Sequence, residues 1–113
     1  MPVINRTFTY RRQIKVSFED LKLAKSGRKT CTIRLGKATV ADRFIELTDG
    51  QESIQIEVTD VDNTRLYSDL TDEDAKKDGL GSKEELDADL RKFYGNIDSL
   101  QPMTVIHFKL PNP

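Results

Sequence analysis

Two alternating runs flank Thr48-Asp49-Gly50, and that turn limits the fold more than any other segment. Arg43–Leu47 and Ser53–Val58 both read as strands, and Asp-Gly between alternating runs is a strong hairpin signal. Ile54, Ile56 and Val58 would face a core, with Gln55 and Glu57 outside. A hairpin joins antiparallel neighbours, so a purely parallel doubly wound sheet is excluded.

The other elements follow from spacing. Thr7–Val16 reads as one strand, with Phe8 and Tyr10 alternating with Thr7 and Thr9. Ser17 is an N-cap with Asp20 three residues on, and Phe18, Leu21 and Ala24 share a helical face. Gly27 closes that helix as its C′ residue. Asp60–Asp69 reads as a loop or an irregular strand. Thr71 starts a short helix with an acidic first turn, and Gly79 stops it. Ser82 and Glu85 form a capping box for a third helix, whose core stripe is Leu86, Leu90 and Phe93. Pro102 precedes a last strand in which Thr104, Ile106, Phe108 and Leu110 alternate with Val105, His107 and Lys109. Helices and strands do not repeat as a βαβ series. An α+β domain is expected over residues 1–113, with a small, mostly antiparallel, curled sheet and two or three helices on it.

Composition narrows the function. The 113 residues suit one domain and include one cysteine and one histidine, Cys31 and His107. No internal disulfide can form, and a multi-cysteine zinc site is excluded. A metal would need mostly carboxylates, and no such spacing is present. No apolar run approaches the ~20 residues of a membrane span, and the N-terminus lacks a signal-peptide apolar region. A cytoplasmic protein is therefore expected, as a monomer or weak dimer. The net charge of −1 hides an asymmetry. Residues 1–43 hold eleven Lys/Arg against three Asp/Glu, and residues 44–113 hold seven against sixteen. Such a split either marks an anionic partner such as RNA or lets two halves neutralise each other on packing.

Chemistry concentrates in Gly27–Gly36, GRKTCTIRLG. On a strand, Thr30, Thr32 and Arg34 share one face, and Cys31, Ile33 and Leu35 the other. The second face is apolar, and Cys31 on it reads as a small buried hydrophobe rather than a nucleophile. The first is a hydrogen-bonding ladder, from which Arg34 could grip a phosphate or carboxylate. Lys29 falls on the apolar parity, where an unpaired ammonium would be costly. Either the strand starts later, or a turn at Gly27–Lys29 swings the ammonium toward the threonine face. In the second case a desolvated lysine close to Thr32 can serve as its base.

The stretch SGRKTCTIR resembles the signature of the ASCH domain, a small member of the PUA-like superfamily of β-barrels. DLTDEDAKKDGLGSKEELDADLRKFYG resembles that family's second block, and MTVIHFKL its closing strand. Ala41-Asp42 stands where related sequences often carry Gly-Asp. The resemblance implies a partly open, mixed, mostly antiparallel barrel flanked by two or three short helices, with a cleft between barrel and helices. It also implies RNA or nucleoside recognition.

One branch is nearer in size and motif: the small bacterial amidohydrolases acting on N4-acetylcytidine. Carried over from it, the catalytic lysine is Lys29 and the threonine Thr32. The family's glutamate falls on Asp78, one methylene shorter. Arg28, Thr30, Arg34 and Tyr94 are then the substrate-binding candidates. The expected reaction turns an N4-acylated cytosine nucleoside into cytidine and a carboxylate, with no metal or organic cofactor. Lys29 takes the proton of Thr32, or with Asp78 activates water that Thr32 positions. The expected partner is a small nucleoside, with RNA as a further partner and no DNA specificity. The alternative is an RNA-binding ASCH module without chemistry, or an RNA-cleaving variant of it.

Tyr94 could stack on a nucleobase or simply pack at a helix end. His107 is expected to face solvent or line a barrel mouth. Arg11, Arg12 and Lys15 read as scattered surface charge or as an extension of a basic face. Glu84, Glu85, Asp87 and Asp89 read as the solvated side of the third helix.

Overall fold

The computed structural model describes residues 3–111. Among the described residues seven strands form two sheets. Strands β1 (Thr7–Tyr10) and β4 (Lys37–Val40) pair in parallel. The larger sheet has the order β2-β5-β6-β7-β3, with β2 Gln13–Lys15, β5 Phe44–Thr48, β6 Ser53–Leu66, β7 Pro102–Lys109 and β3 Cys31–Leu35. Only β2–β5 is parallel in it. The helices are α1 (Phe18–Lys25), α2 (Asp72–Lys77) and α3 (Lys83–Tyr94), with a 3-10 turn at Tyr67–Asp69.

The hairpin at Asp49-Gly50 forms as expected, with Leu47 opposite Ile54 and Ile45 opposite Ile56. One other expectation is corrected here. Thr7–Val16 is two strands, because Arg12 adopts φ 66 and turns a corner, its N–H donating to Asp42 Oδ2 at 3.0 Å. Each half then pairs with a different strand. Neither Gly nor Pro marks this break. Residues 60–66 take the irregular-strand alternative: β6 runs on through two register shifts, after Val58 and after Asp62. Bulges of this kind bend and twist a strand, which curls the sheet. Strand β4 had no counterpart in the sequence pattern. Its backbone is fastened by side chains, with Ala38 N–H donating to Thr104 Oγ1 at 2.9 Å and Asn63 Nδ2 to the Ala38 carbonyl at 3.2 Å.

Because β1 leads into β2 and β3 into β4, the two sheets together curl into a barrel that the ladders do not close. Among the described residues β2 and β3 share no ladder. Arg34 spans that seam, its Nη2 donating to the Lys15 carbonyl at 2.7 Å.

Apolar residues bury on both sides of the curled sheet. Inside lie Ile14, Ile45, Leu47, Ile56, Ile106 and Phe108, capped by Leu21 and Ala24 of α1. Outside, Cys31, Ile33, Leu35, Met103 and Val105 pack against Ala75 of α2 and Leu86 and Leu90 of α3. Both faces of β7 are therefore buried, which period-two alternation alone would not indicate. Leu110 lies past the end of β7 and is exposed. Phe93 is corrected as well. It leaves the core stripe of α3 and is 64% exposed.

Candidate functional site

The turn after α1 builds the site. Ser17 Oγ caps α1 by accepting from Asp20 N–H at 3.1 Å. Gly27 follows the C-cap with φ 80, a conformation that glycine adopts without Cβ strain. The N–H groups of Arg28 and Lys29 then both donate to the Leu23 carbonyl, at 3.0 and 3.1 Å. Thr30 N–H donates to the Lys77 carbonyl at 2.6 Å, tying this turn to the end of α2. Gly79, at φ 93, allows the close approach. A Cβ there would lie 2.9 Å from Leu23 Cδ1.

This backbone scaffold answers the parity problem at Lys29. The strand starts later, at Cys31, and the turn swings the lysine inward. Lys29 is only 2% exposed. Its Nζ donates to Asp78 Oδ1, lies 3.5 Å from the Asp78 carbonyl and sits 3.9 Å from Asp20 Oδ1. Asp78 is the C-cap residue of α2 and is 6% exposed. Burial pushes its carboxyl up to about 6; the neighbouring Lys29 ammonium opposes this, and Asp20 and Asp89 add to the rise.

Thr32 shares the barrel-side face of β3 with Arg34, since it stands opposite Ile106 and Arg34 opposite Thr104. It is 3% exposed, and its Oγ1 accepts from Arg34 Nε at 3.3 Å. This part of the ladder thus stands at the barrel seam, with Thr32 buried and Arg34 half-buried. The Arg34 guanidinium also stands 5.9 Å from the centre of the Tyr10 ring.

A cavity of about 460 Å3 opens here, between the ends of β2 and α1, strand β3, the end of α2 and one face of α3. Lys29, Thr32, Asp78, Arg34 and Tyr94 all line it, so five of the seven residues expected from the sequence meet at one cavity. Arg28 and Thr30 do not line it. Arg28 is exposed on the outer side of the turn, and Thr30 precedes β3, half-buried, with its backbone bonded to Lys77 and Phe108. Neither is part of this cavity's wall.

The cavity also recruits Asp20, Asp89 and Phe93, which the sequence reading gave to capping, solvent and core. A signal for Asp89 was present: it stands three residues after Leu86 and four before Phe93, on the inward flank of α3. Burial pushes its carboxyl upward, with Asp20 adding to the rise and Lys29 and Lys92 opposing it. His107 is half-buried opposite Cys31, away from the cavity. The Cys31 thiol is buried and pushed up to about 12, chiefly by desolvation, which suits packing rather than nucleophilic attack. Asp87 is not simply solvated, since it accepts from the Tyr67 hydroxyl at 2.7 Å.

No protein-family model matches the chain, and no curated protein is significantly similar to it in sequence. Solved structures are informative. An ASCH domain from Lactobacillus crispatus superposes with a TM-score of 0.65 at 16% identity, covering 93% of this chain and 80% of that one. A protein described as hypothetical superposes with a TM-score of 0.56 at 19% identity, covering 92% of this chain and 98% of the other. The chain has the fold of that ASCH domain, an α+β arrangement around a curled, open sheet. Among the described residues no helix is long and apolar enough to cross a membrane.

Proposed function

We propose that this protein is an amidohydrolase that removes the acyl group from N4-acylated cytosine nucleosides. One observation carries the reading. A lysine 2% exposed and an aspartate 49 positions away meet at the wall of a cavity that also holds Thr32. A buried ion pair contributes little to stability by itself, and a shifted carboxyl in a cleft fits acid–base chemistry better.

The chemistry follows from the pair. The Lys29 Nζ–H donates to Asp78, and the proposed chemistry begins with that proton passing to the carboxylate. With that proton on Asp78, Lys29 is an amine able to accept the Thr32 hydroxyl proton, and Asp78 is a carboxylic acid able to donate. The Thr32 oxygen attacks the acyl carbonyl, and Asp78 protonates the N4 leaving group as the C–N bond breaks. Water then hydrolyses the acyl-threonine and releases the carboxylate. The Arg34 Nε–H already points at Thr32 Oγ1 and favours the developing negative charge there. This hydrogen bond supports Thr32 as the attacking group over a role in holding water. The half-exposed Tyr94 ring at the cavity edge supplies a flat surface for the pyrimidine.

The test is incubation of the purified protein with N4-acetylcytidine, followed by the absorbance change to cytidine. Turnover is expected, with an acetyl adduct on Thr32 after acid quench. No turnover, or turnover unaffected by Lys29→Ala and Thr32→Ala, would sink the proposal.

A further inference from the structure

Lys29 has two carboxylates within reach. Asp78 bonds it, and Asp20 Oδ1 lies 3.9 Å from its Nζ. The two acids occupy opposite helical settings. Asp20 is in the first turn of α1, where negative charge is favoured, and Asp78 caps the C-terminal end of α2, where it is not. Asp20 is also the wetter, with 27% of its side chain exposed against 8% for Asp78. Among the described residues its carboxylate has no ion-pair partner other than Lys29.

We propose that Asp20 is a positioning residue: its carboxylate shares the Lys29 ammonium with Asp78 and thereby decides how firmly Asp78 holds its proton. One ammonium cannot fully compensate two carboxylates on one cavity wall. The charge imbalance is relieved when one carboxylate takes a proton, and the drier one at a helix C-terminus does so first. The other groups facing Asp78 fit this division. Lys29 comes from the turn before β3, and Asp89 of α3 adds a further negative charge. Arg34 is committed to the Lys15 carbonyl and Thr32, and Asp74 of α2 itself is bonded to Arg65. Lys15 lines the cavity from the end of β2. Asp20 touches no reacting atom in this scheme and acts through Lys29 and Asp78. The inference rests on the proposed hydrolysis for its consequence, though not for the coupling itself.

The experiment is a carbon-13 NMR titration of the Asp78 side-chain carboxyl in the full chain, without substrate. Asp78→Asn assigns the resonance. In Asp20→Asn the midpoint should fall, by roughly half a pH unit or more. Asp20→Glu should restore it. A thermal melt fixes the folded fraction, and Asp20→Ser gives the same reading should the amide variant misfold. The pH profile for N4-acetylcytidine should lose its alkaline side in Asp20→Asn, because Asp78 must be protonated to donate. An unchanged or raised midpoint overturns the role of Asp20 even where the wild type turns over. A lowered midpoint with no wild-type turnover overturns the hydrolase reading and leaves the coupling standing.

Discussion

Asp74 and Asp78 lie four residues apart on α2, both almost wholly buried and both against a cation, yet their protonation is pushed in opposite directions. At Asp74 burial opposes ionisation, but hydrogen bonds from Arg65 and from the Thr71 N–H and hydroxyl outweigh it and hold the carboxyl below its usual range. At Asp78 burial is opposed mainly by Lys29, and the carboxyl ends near 6. The first is a capping-box residue anchored by a two-pronged guanidinium, and it fastens β6 to α2. The second has a point-charge partner, like-charged neighbours and a cavity in front of it. Number of donors, together with how deeply the carboxyl is packed, separates a carboxylate that holds the fold from one able to exchange a proton.

The largest expected effect breaks that comparison on function. Asp78→Asn and Lys29→Ala should each lower kcat/KM for N4-acetylcytidine by about 10^2-fold or more. Asp74→Asn should leave turnover per folded molecule within several-fold. The stability of the two variants should be ordered the other way. Asp74→Asn removes the charge paired with Arg65 and, whichever oxygen is replaced, turns an amide N–H toward an Arg65 N–H, which should cost about 2–4 kcal/mol, read as a fall in the denaturant midpoint. Asp78→Asn keeps an oxygen for Lys29, which also retains Asp20, and should stay folded.

The pH dependence of stability should differ in sign. The native Asp78 pKa is raised, so between about pH 4 and 6 the folded state holds more protons than the unfolded one. Wild-type stability therefore falls through that window relative to Asp78→Asn, and thermal melts across pH 4–8 measure the difference. Asp74 is depressed, so its contribution is present above the unfolded value and is lost only on further acidification. The smallest effect is at Arg28. Arg28→Ala should change kcat/KM less than about two-fold, since the side chain lies outside the cavity.

The hairpin, the three helices with their caps and the closing strand were legible because each is written locally, in Asp49-Gly50, Ser17, Thr71 and Ser82. The corner at Arg12 and strand β4 were not, and the run of β6 through its bulges was legible only as one of two alternatives, because tertiary pairing imposes them against weak local signals. Within the site, Lys29 was conspicuous by its wrong parity, and the turn at Gly27 explains it. Asp78 was reached by resemblance alone, since nothing local distinguishes it from the acids around it. Asp20 was hidden because a surface carboxylate and a cavity carboxylate look alike until the helices are docked, and Asp89 was marked only by its place on the inward flank of α3. Arg34 was expected to bind substrate. It lines the cavity, and its Nη2 also clasps the open seam of the barrel.

The most direct test is kcat/KM of Asp78→Asn for N4-acetylcytidine, measured beside Asp74→Asn with both normalised to folded protein. A fall of about 10^2-fold or more confined to Asp78→Asn is the predicted result. Asp78→Asn turning over like the wild type, or Asp74→Asn losing as much per folded molecule, would contradict the account.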